Sequence, residues 1–328
     1  MNILGIETSC DETAAAVVKD GRIILSNVVA SQGDLHAQFG GVVPEIAARS
    51  HIEMILPIVK KALDEAETDW NAIDAIAVTR GPGLIGSLLI GILAAQTLAT
   101  LKNMPLIPIN HIEAHTYANF LLPAPLSFPL LSLTVSGSHT QLVLFTDHGQ
   151  YRVLGKTLDD AAGEAFDKVA RMIGLSRSSG AAIEVAAAHG NNQAFAFPKP
   201  KLGKESFNFS FSGLKTAVLR TAQAAVGRDH RTLSHELPAL LRDSQRNDLA
   251  ASFQKTVVEI LAGRLLQAYE AHSPSSVVIG GGVAANQALR SKVATLLPVT
   301  VGYPPLDLCT DNAAMVASLG YFQLQSGR

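Results

Sequence analysis

The sequence predicts an α/β protein of two lobes, built on duplicated βββαβα-type cores. Two internal repeats carry this expectation. The first pairs Ile3–Asp20 (ILGIETSCDETAAAVVKD) with Leu130–Asp147 (LLSLTVSGSHTQLVLFTD), setting Ser9 against Ser136, Thr13 against Thr140 and Asp20 against Asp147 at one offset. The second pairs Ala77–Leu88 (AVTRGPGLIGSL) with Val277–Gln287 (VVIGGGVAANQ), each reading as strand, glycine turn and helix.

Taken in order, each copy of the first repeat reads as strand, polar turn, strand. A tight turn follows (Asp20-Gly21; His148-Gly149), then a third strand. The polar turns Thr8–Thr13 and Val135–Thr140 are rich in hydroxyls and small residues, which suits presentation of backbone N–H groups to phosphate. The apolar positions Ile52, Ile55, Leu56 and Val59 suit a helix whose face is core or dimer surface. Ile73–Thr79 reads as a strand, and the charge-free run Gly81–Leu101 as a helix buried against a sheet rather than crossing a bilayer. Its small residues Gly86, Gly91, Ala94 and Ala95 favour close packing. A helical insertion is expected at about 157–234 of the second half, opening with a helix from Asp159. Strict alternation in Ser206–Leu214 (SFNFSFSGL) predicts a strand whose phenylalanines pack in the core. The lobes are expected to be 1–116 plus 312–328, and 117–311.

The 328 residues are nearly half apolar and carry a net charge of −2, so no bulk field recruits nucleic acid or acidic membranes. Two cysteines, Cys10 and Cys309, read as reduced thiols, and Ile3 begins a strand with no basic leader before it. A cytoplasmic protein with no membrane partner is expected. Charge is uneven: Lys199 to Lys255 holds ten basic residues against five acidic. That is either a solvated helical surface or the footprint of a phosphate-backbone partner.

His111-Ile112-Glu113-Ala114-His115 places two imidazoles four residues apart on one helix face, where both reach one metal ion. Alone, the spacing equally fits surface or capping histidines. Glu113 sits about 200° round the helix from His111, so it faces away and cannot serve as a metalloprotease base. Glycine turns entering helices offer N–H donors and a positive dipole end to an anion. Two such halves facing across a cleft are the architecture of the actin/hexokinase-like (ASKHA) nucleotide-binding proteins.

Motifs along nearly the whole chain resemble the bacterial tRNA threonylcarbamoyladenosine transferase family, the TsaD type. They are Gly5–Thr13 (GIETSCDET), Gly41–Glu45 (GVVPE), Thr79–Leu84 (TRGPGL), the His111–His115 motif, Asp160–Lys168, Phe209–Lys215 (FSFSGLK), Gly281–Asn286 and Cys309–Met315 (CTDNAAM). The resemblance implies transfer of a threonylcarbamoyl group from threonylcarbamoyl-AMP to N6 of adenosine 37 in tRNAs that read ANN codons. It implies a divalent metal on His111, His115 and Asp311, with Fe(II) favoured and Zn(II) the alternative. Asp311 also reads as a helix N-cap. Substrate contacts map onto Thr134, Val135, Ser136, Gly137, Ser138, Asp167, Gly180 and Asn286. Asp167 also suits an i,i+4 pair with Arg171, and Asn286 a helix cap. Asp11 and Glu12 are the candidates for orienting the attacking amine or taking its proton. Implied partners are a paralogue lacking the metal site (TsaB type) and a small ATPase (TsaE type). Two departures stand out: Val135-Ser136-Gly137-Ser138-His139 where the family has Val-Ser-Gly-Gly-His, and Arg177-Ser178-Ser179-Gly180-Ala181 where it has Tyr-Pro-Gly-Gly-Pro. A small-molecule kinase of the same fold gives the histidines no role, and a metallopeptidase lacks its base.

Overall fold

The structure is a computed structural model and describes residues 1–39, 41–175, 179–203 and 205–327. The chain divides into two compact units: Met1–Ser127, Phe145–Tyr151 and Tyr303–Arg328; and Phe128–Leu144 with Arg152–Gly302.

In chain order the strands are β1 (Asn2–Glu7), β2 (Glu12–Lys19), β3 (Ile23–Ser31), β4 (Ala75–Gly81), β5 (Leu106–Asn110), β6 (Leu130–Val135), β7 (Thr140–Asp147), β8 (Gln150–Lys156), β9 (Ser276–Gly280) and β10 (Val301–Gly302). The helices are α1 (Gly33–Ala37), α2 (Pro44–Glu65), α3 (Ile85–Lys102), α4 (His111–Tyr117), α5 (Ala162–Met172), α6 (Gly180–Ala187), α7 (Ser212–Ala225), α8 (Leu237–Leu240), α9 (Asp243–His272), α10 (Gln287–Leu296), α11 (Leu306–Cys309) and α12 (Ala313–Gln325).

The duplication read from sequence is written in the sheets. One has the order β3-β2-β1-β4-β5 and the other β10-β9-β6-β7-β8, which is the same order read from the opposite edge. In the first, β1 runs antiparallel to β2 and parallel to β4. In the second, β6 is parallel to β9. Strands β1, β2 and β4 are near-continuous apolar runs because both faces are covered. Helix α12 packs across β1, β2 and β4, while α2 packs on β2 and β3 and α3 on β4. In the second unit, α9 is a thirty-residue spine packed against α5, α6, α7 and α10.

Helix α3 is apolar and long enough to cross a membrane, and it packs on β4 with one face: Ser87, Leu88, Gly91, Ala95 and Ala99 face inward, while Ile85, Leu89, Leu93 and Leu101 are exposed. Likewise α2 buries Ile55 and Val59 and exposes Ile52 and Leu56. The alternating Ser206–Leu214 segment forms only a single bridge, Thr157 to Phe209, before α7 begins. The reason is Asp159, whose carboxylate accepts the N–H groups of Phe211 and Ser212 and the Ser210 hydroxyl, turning the chain into a helix. Phe209 and Phe211 are fully buried, as core packing requires.

Candidate metal centre and nucleotide pocket

Asn110 fixes where the metal helix starts. Its side-chain oxygen accepts the N–H groups of Ile112 and Glu113, so α4 begins at His111 with both histidines on one face. Asp311 reaches them from the bend between α11 and α12. Asn312, not Asp311, caps α12: its Oδ1 accepts from Met315, and its Nδ2 donates to the carbonyls of Leu308 and Thr310. The cap therefore locks the bend and leaves the Asp311 carboxylate for other use. Asp311 Oδ1 lies 3.5 Å from His111 Nε2 and 3.3 Å from His115 Nε2. Ligand atoms of the three residues all lie within 4.8 Å of one another.

Two neutral imidazoles and one carboxylate are the donor set for a borderline divalent ion. His115 is fully buried and neither ring nitrogen makes a hydrogen bond among the described residues. Such an orphaned pair of polar atoms is costly unless a cation takes one of them. The residues therefore fit a metal. Glu113 stands apart beside Tyr151, where burial and then that carboxylate push the phenol pKa up.

Glu7, which sequence reading missed, organises the site from behind. This fully buried carboxylate accepts the Ser9 N–H, the Thr79 hydroxyl at 2.6 Å and His111 Nδ1 at 3.1 Å. A proton kept on Nδ1 would leave Nε2 to ligate an ion shared with Asp311, once that ion displaces the second ring proton. Burial disfavours charge on both partners. The pair overcomes it: Glu7 is held below the ordinary carboxylate value, and Asp311 and Glu7 together lift His111 to about 9. The available signal was one acid at the end of an apolar strand.

The first polar turn is tied down by His51. His51 Nε2 donates to the Cys10 carbonyl, so its Nδ1 accepts from the Thr13 hydroxyl. Burial, with Asp11 next, pushes the Cys10 thiol far up, which removes it as a nucleophile. Burial and the charges of Asp11 and Asp311 push Glu12 to about 9, and it is hydrogen-bonded to Asp11. Glu12 therefore holds its proton at neutral pH, beside Asp11. A raised carboxyl pKa means the folded chain keeps a proton that the unfolded chain releases above 4.5. Stability from this group is fullest below that pH and declines as pH rises toward about 9. Glu12→Gln in chelator-treated protein is expected to flatten that decline. Melting curves with the same slope as the parent across this range would refute it.

In the second unit, the Val135–Gly137 turn is clasped by two glycines. A Cβ on Gly163 would lie 2.5 Å from the Ser136 carbonyl oxygen, and Gly281, at φ +90°, would put one 2.4 Å from that of Val135. The Ser136 hydroxyl accepts the His139 N–H. The Thr134 hydroxyl is buried without a hydrogen-bond partner among the described residues. Ser138 adopts no left-handed conformation, so the departure from glycine there costs no strain. Asp167 accepts the Gly180 N–H, and burial raises its pKa to about 6. Arg171, one turn on, acts on it electrostatically. Asn286 does cap α10, through Oδ1 to Leu289, but its Nδ2 also donates to Gln254 and keeps a second proton. Glu184 joins the same cluster by accepting the Gln287 N–H. Arg177 and Ser178 lie outside the described residues.

Residues 23–318 match the family model described as tRNA N6-adenosine threonylcarbamoyltransferase. The chain belongs to that family. The tRNA N6-adenosine threonylcarbamoyltransferase of Thermomicrobium roseum is 52% identical, with 100% of this chain and 93% of that protein covered. The one from Symbiobacterium thermophilum is 52% identical over 99% and 92%. Membership makes the chain a transferase. Its fold is that of actin/hexokinase-like proteins. T. kodakarensis HypF superposes with a TM-score of 0.64 at 13% identity, over 99% of this chain and 48% of that one. The Acidaminococcus fermentans (R)-2-hydroxyglutaryl-CoA dehydratase component A gives 0.54 at 14%, covering both chains completely.

Proposed function

We propose that this enzyme moves the threonylcarbamoyl group of threonylcarbamoyl-AMP onto N6 of adenosine 37 in tRNAs that read ANN codons, releasing AMP. The observation that carries this reading is the full-length family match combined with retention of the His111–His115–Asp311 cluster. The N6 amine attacks the carbamoyl carbon, a C–N bond forms, and the carbon–oxygen bond to the phosphate breaks. The adenosine amine is a weak nucleophile, so positioning and charge stabilisation carry the catalysis. A divalent ion on His111, His115 and Asp311, Fe(II) with Zn(II) as the alternative, would supply polarisation of the carbamoyl oxygen. One of Asp11 and Glu12 orients the attacking amine or takes up its proton. Thr134–Ser138, Gly180 and Asn286 hold the adenylate, and Asp167 accepts from its ribose hydroxyls. Protein, synthetic threonylcarbamoyl-adenylate and unmodified tRNA, followed by nucleoside mass analysis, test the reaction. Absence of the modified nucleoside with all partners present would refute it, and ATP-dependent phosphorylation of a small molecule would favour the kinase reading.

The exposed stripes Ile52/Leu56 on α2 and Ile85/Leu89/Leu93 on α3 belong to helices that pack on each other, and exposed apolar faces of this kind mark protein contacts. We assign them to the paralogue lacking the metal site; a small ATPase completes the assembly, in the cytoplasm where tRNA is the acceptor. Leu93→Glu is expected to abolish co-elution with that paralogue on size exclusion. Unchanged co-elution would remove the assignment.

A further inference from the structure

A cavity of about 350 Å³ in the second unit is lined by Lys168, Arg171, Met172, Lys215, Thr216, Leu219, Ser234 and His235. Three permanent cations and two hydroxyls line it, and among the described residues no carboxylate does. The lysines are held in place from behind. Asp160 binds Lys168 Nζ at 3.0 Å and Lys215 Nζ at 2.6 Å, and Glu164 adds a contact to Lys168 at 2.7 Å. Each ammonium has three donors, so Lys215 keeps two and Lys168 one after these pairs are made. The geometry points to a seat for one phosphodiester and its ribose from the acceptor RNA, with Met172 and Leu219 under the sugar and the cations on the phosphate.

Size favours a nucleotide unit over a free inorganic anion, because the cavity greatly exceeds one phosphate group. Position favours the acceptor strand. Lys168 follows Asp167 directly on α5, and Arg171 lies one turn further on, so the cavity and the nucleotide pocket share one helix. Lys215 and His235 come from the basic stretch between Lys199 and Lys255, which thereby gains a shaped binding element rather than a merely solvated face.

This inference rests on tRNA being the acceptor, and the test separates the two. Unmodified tRNA is titrated against the full-length enzyme, with its partners, over a range of salt. Lys215→Gln and the double variant Lys168→Gln/Lys215→Gln are expected to weaken tRNA binding, the double by about tenfold, and to lower the salt slope by about 1 per lost contact. KM for the adenylate donor should not move. Lys215→Arg, which keeps the charge and the Asp160 pair, should bind like the parent. A control at a separate surface cavity, Lys255→Gln/Lys292→Gln, should lose less. Unchanged affinity and slope in the double variant, an equal loss in the control, or failure of Lys215→Arg to retain binding would each overturn the cavity assignment alone. A parent enzyme that holds no tRNA would overturn it together with the acceptor itself.

Discussion

Asp311→Asn and His115→Gln are each expected to lose bound metal and to cut single-turnover transfer by about a thousandfold or more. Polarisation of a carbonyl by a bound ion contributes several kcal/mol, and about 1.4 kcal/mol is a decade of rate. Asp311 supplies the only carboxylate of the cluster, so its amide removes the charge that makes two imidazoles and a cation neutral enough to bury. Asparagine keeps the volume, and the bend should survive because Asn312, not Asp311, ties it to Leu308, Thr310 and Met315. Metal content, measured by elemental analysis, should fall with activity, and chelated parent enzyme should match the variants. A variant that lost its ion but kept its rate within about twofold would exclude the metal from the reaction.

The same cluster shows how far the residues could be read in advance. The histidine spacing specified a shared face and the direction of Glu113, because helical periodicity alone determines both. Asp311 was not legible from spacing: nearly two hundred residues separate it from His115, and its approach depends on α12 crossing the first sheet. The paired sheets followed from the two repeats, since matched strands and turns impose matched pairing. The Ser206–Leu214 segment failed as a strand because Asp159, fifty residues earlier, captures its N–H groups, a tertiary contact that no local pattern encodes. The outward stripe of α3 was not legible, because an uncharged run has no polar face to mark which side meets the sheet and which does not.

Glu7 is where stability and metal binding meet, and two substitutions separate them. Glu7→Ala strands the Ser9 N–H, the Thr79 hydroxyl and His111 Nδ1 in a buried site. Removing one partner of a buried pair costs about 3–5 kcal/mol, a large share of the roughly 5–15 kcal/mol that holds a domain together. A fall in Tm of roughly 10 °C is expected at about 2–4 °C per kcal/mol. Glu7→Gln keeps the volume and an acceptor oxygen but lacks the charge that makes the imidazole a strong donor. Its fold should hold, while metal affinity drops by about 10- to 100-fold, the usual effect of losing a carboxylate behind a ligating histidine. Competition against a chelator reads this directly, without any turnover. If Glu7→Gln bound metal as tightly as the parent, the carboxylate would be a structural anchor for the polar turn, and the orientation of His111 would have to come from Ser9, whose hydroxyl lies 3.2 Å from the same nitrogen.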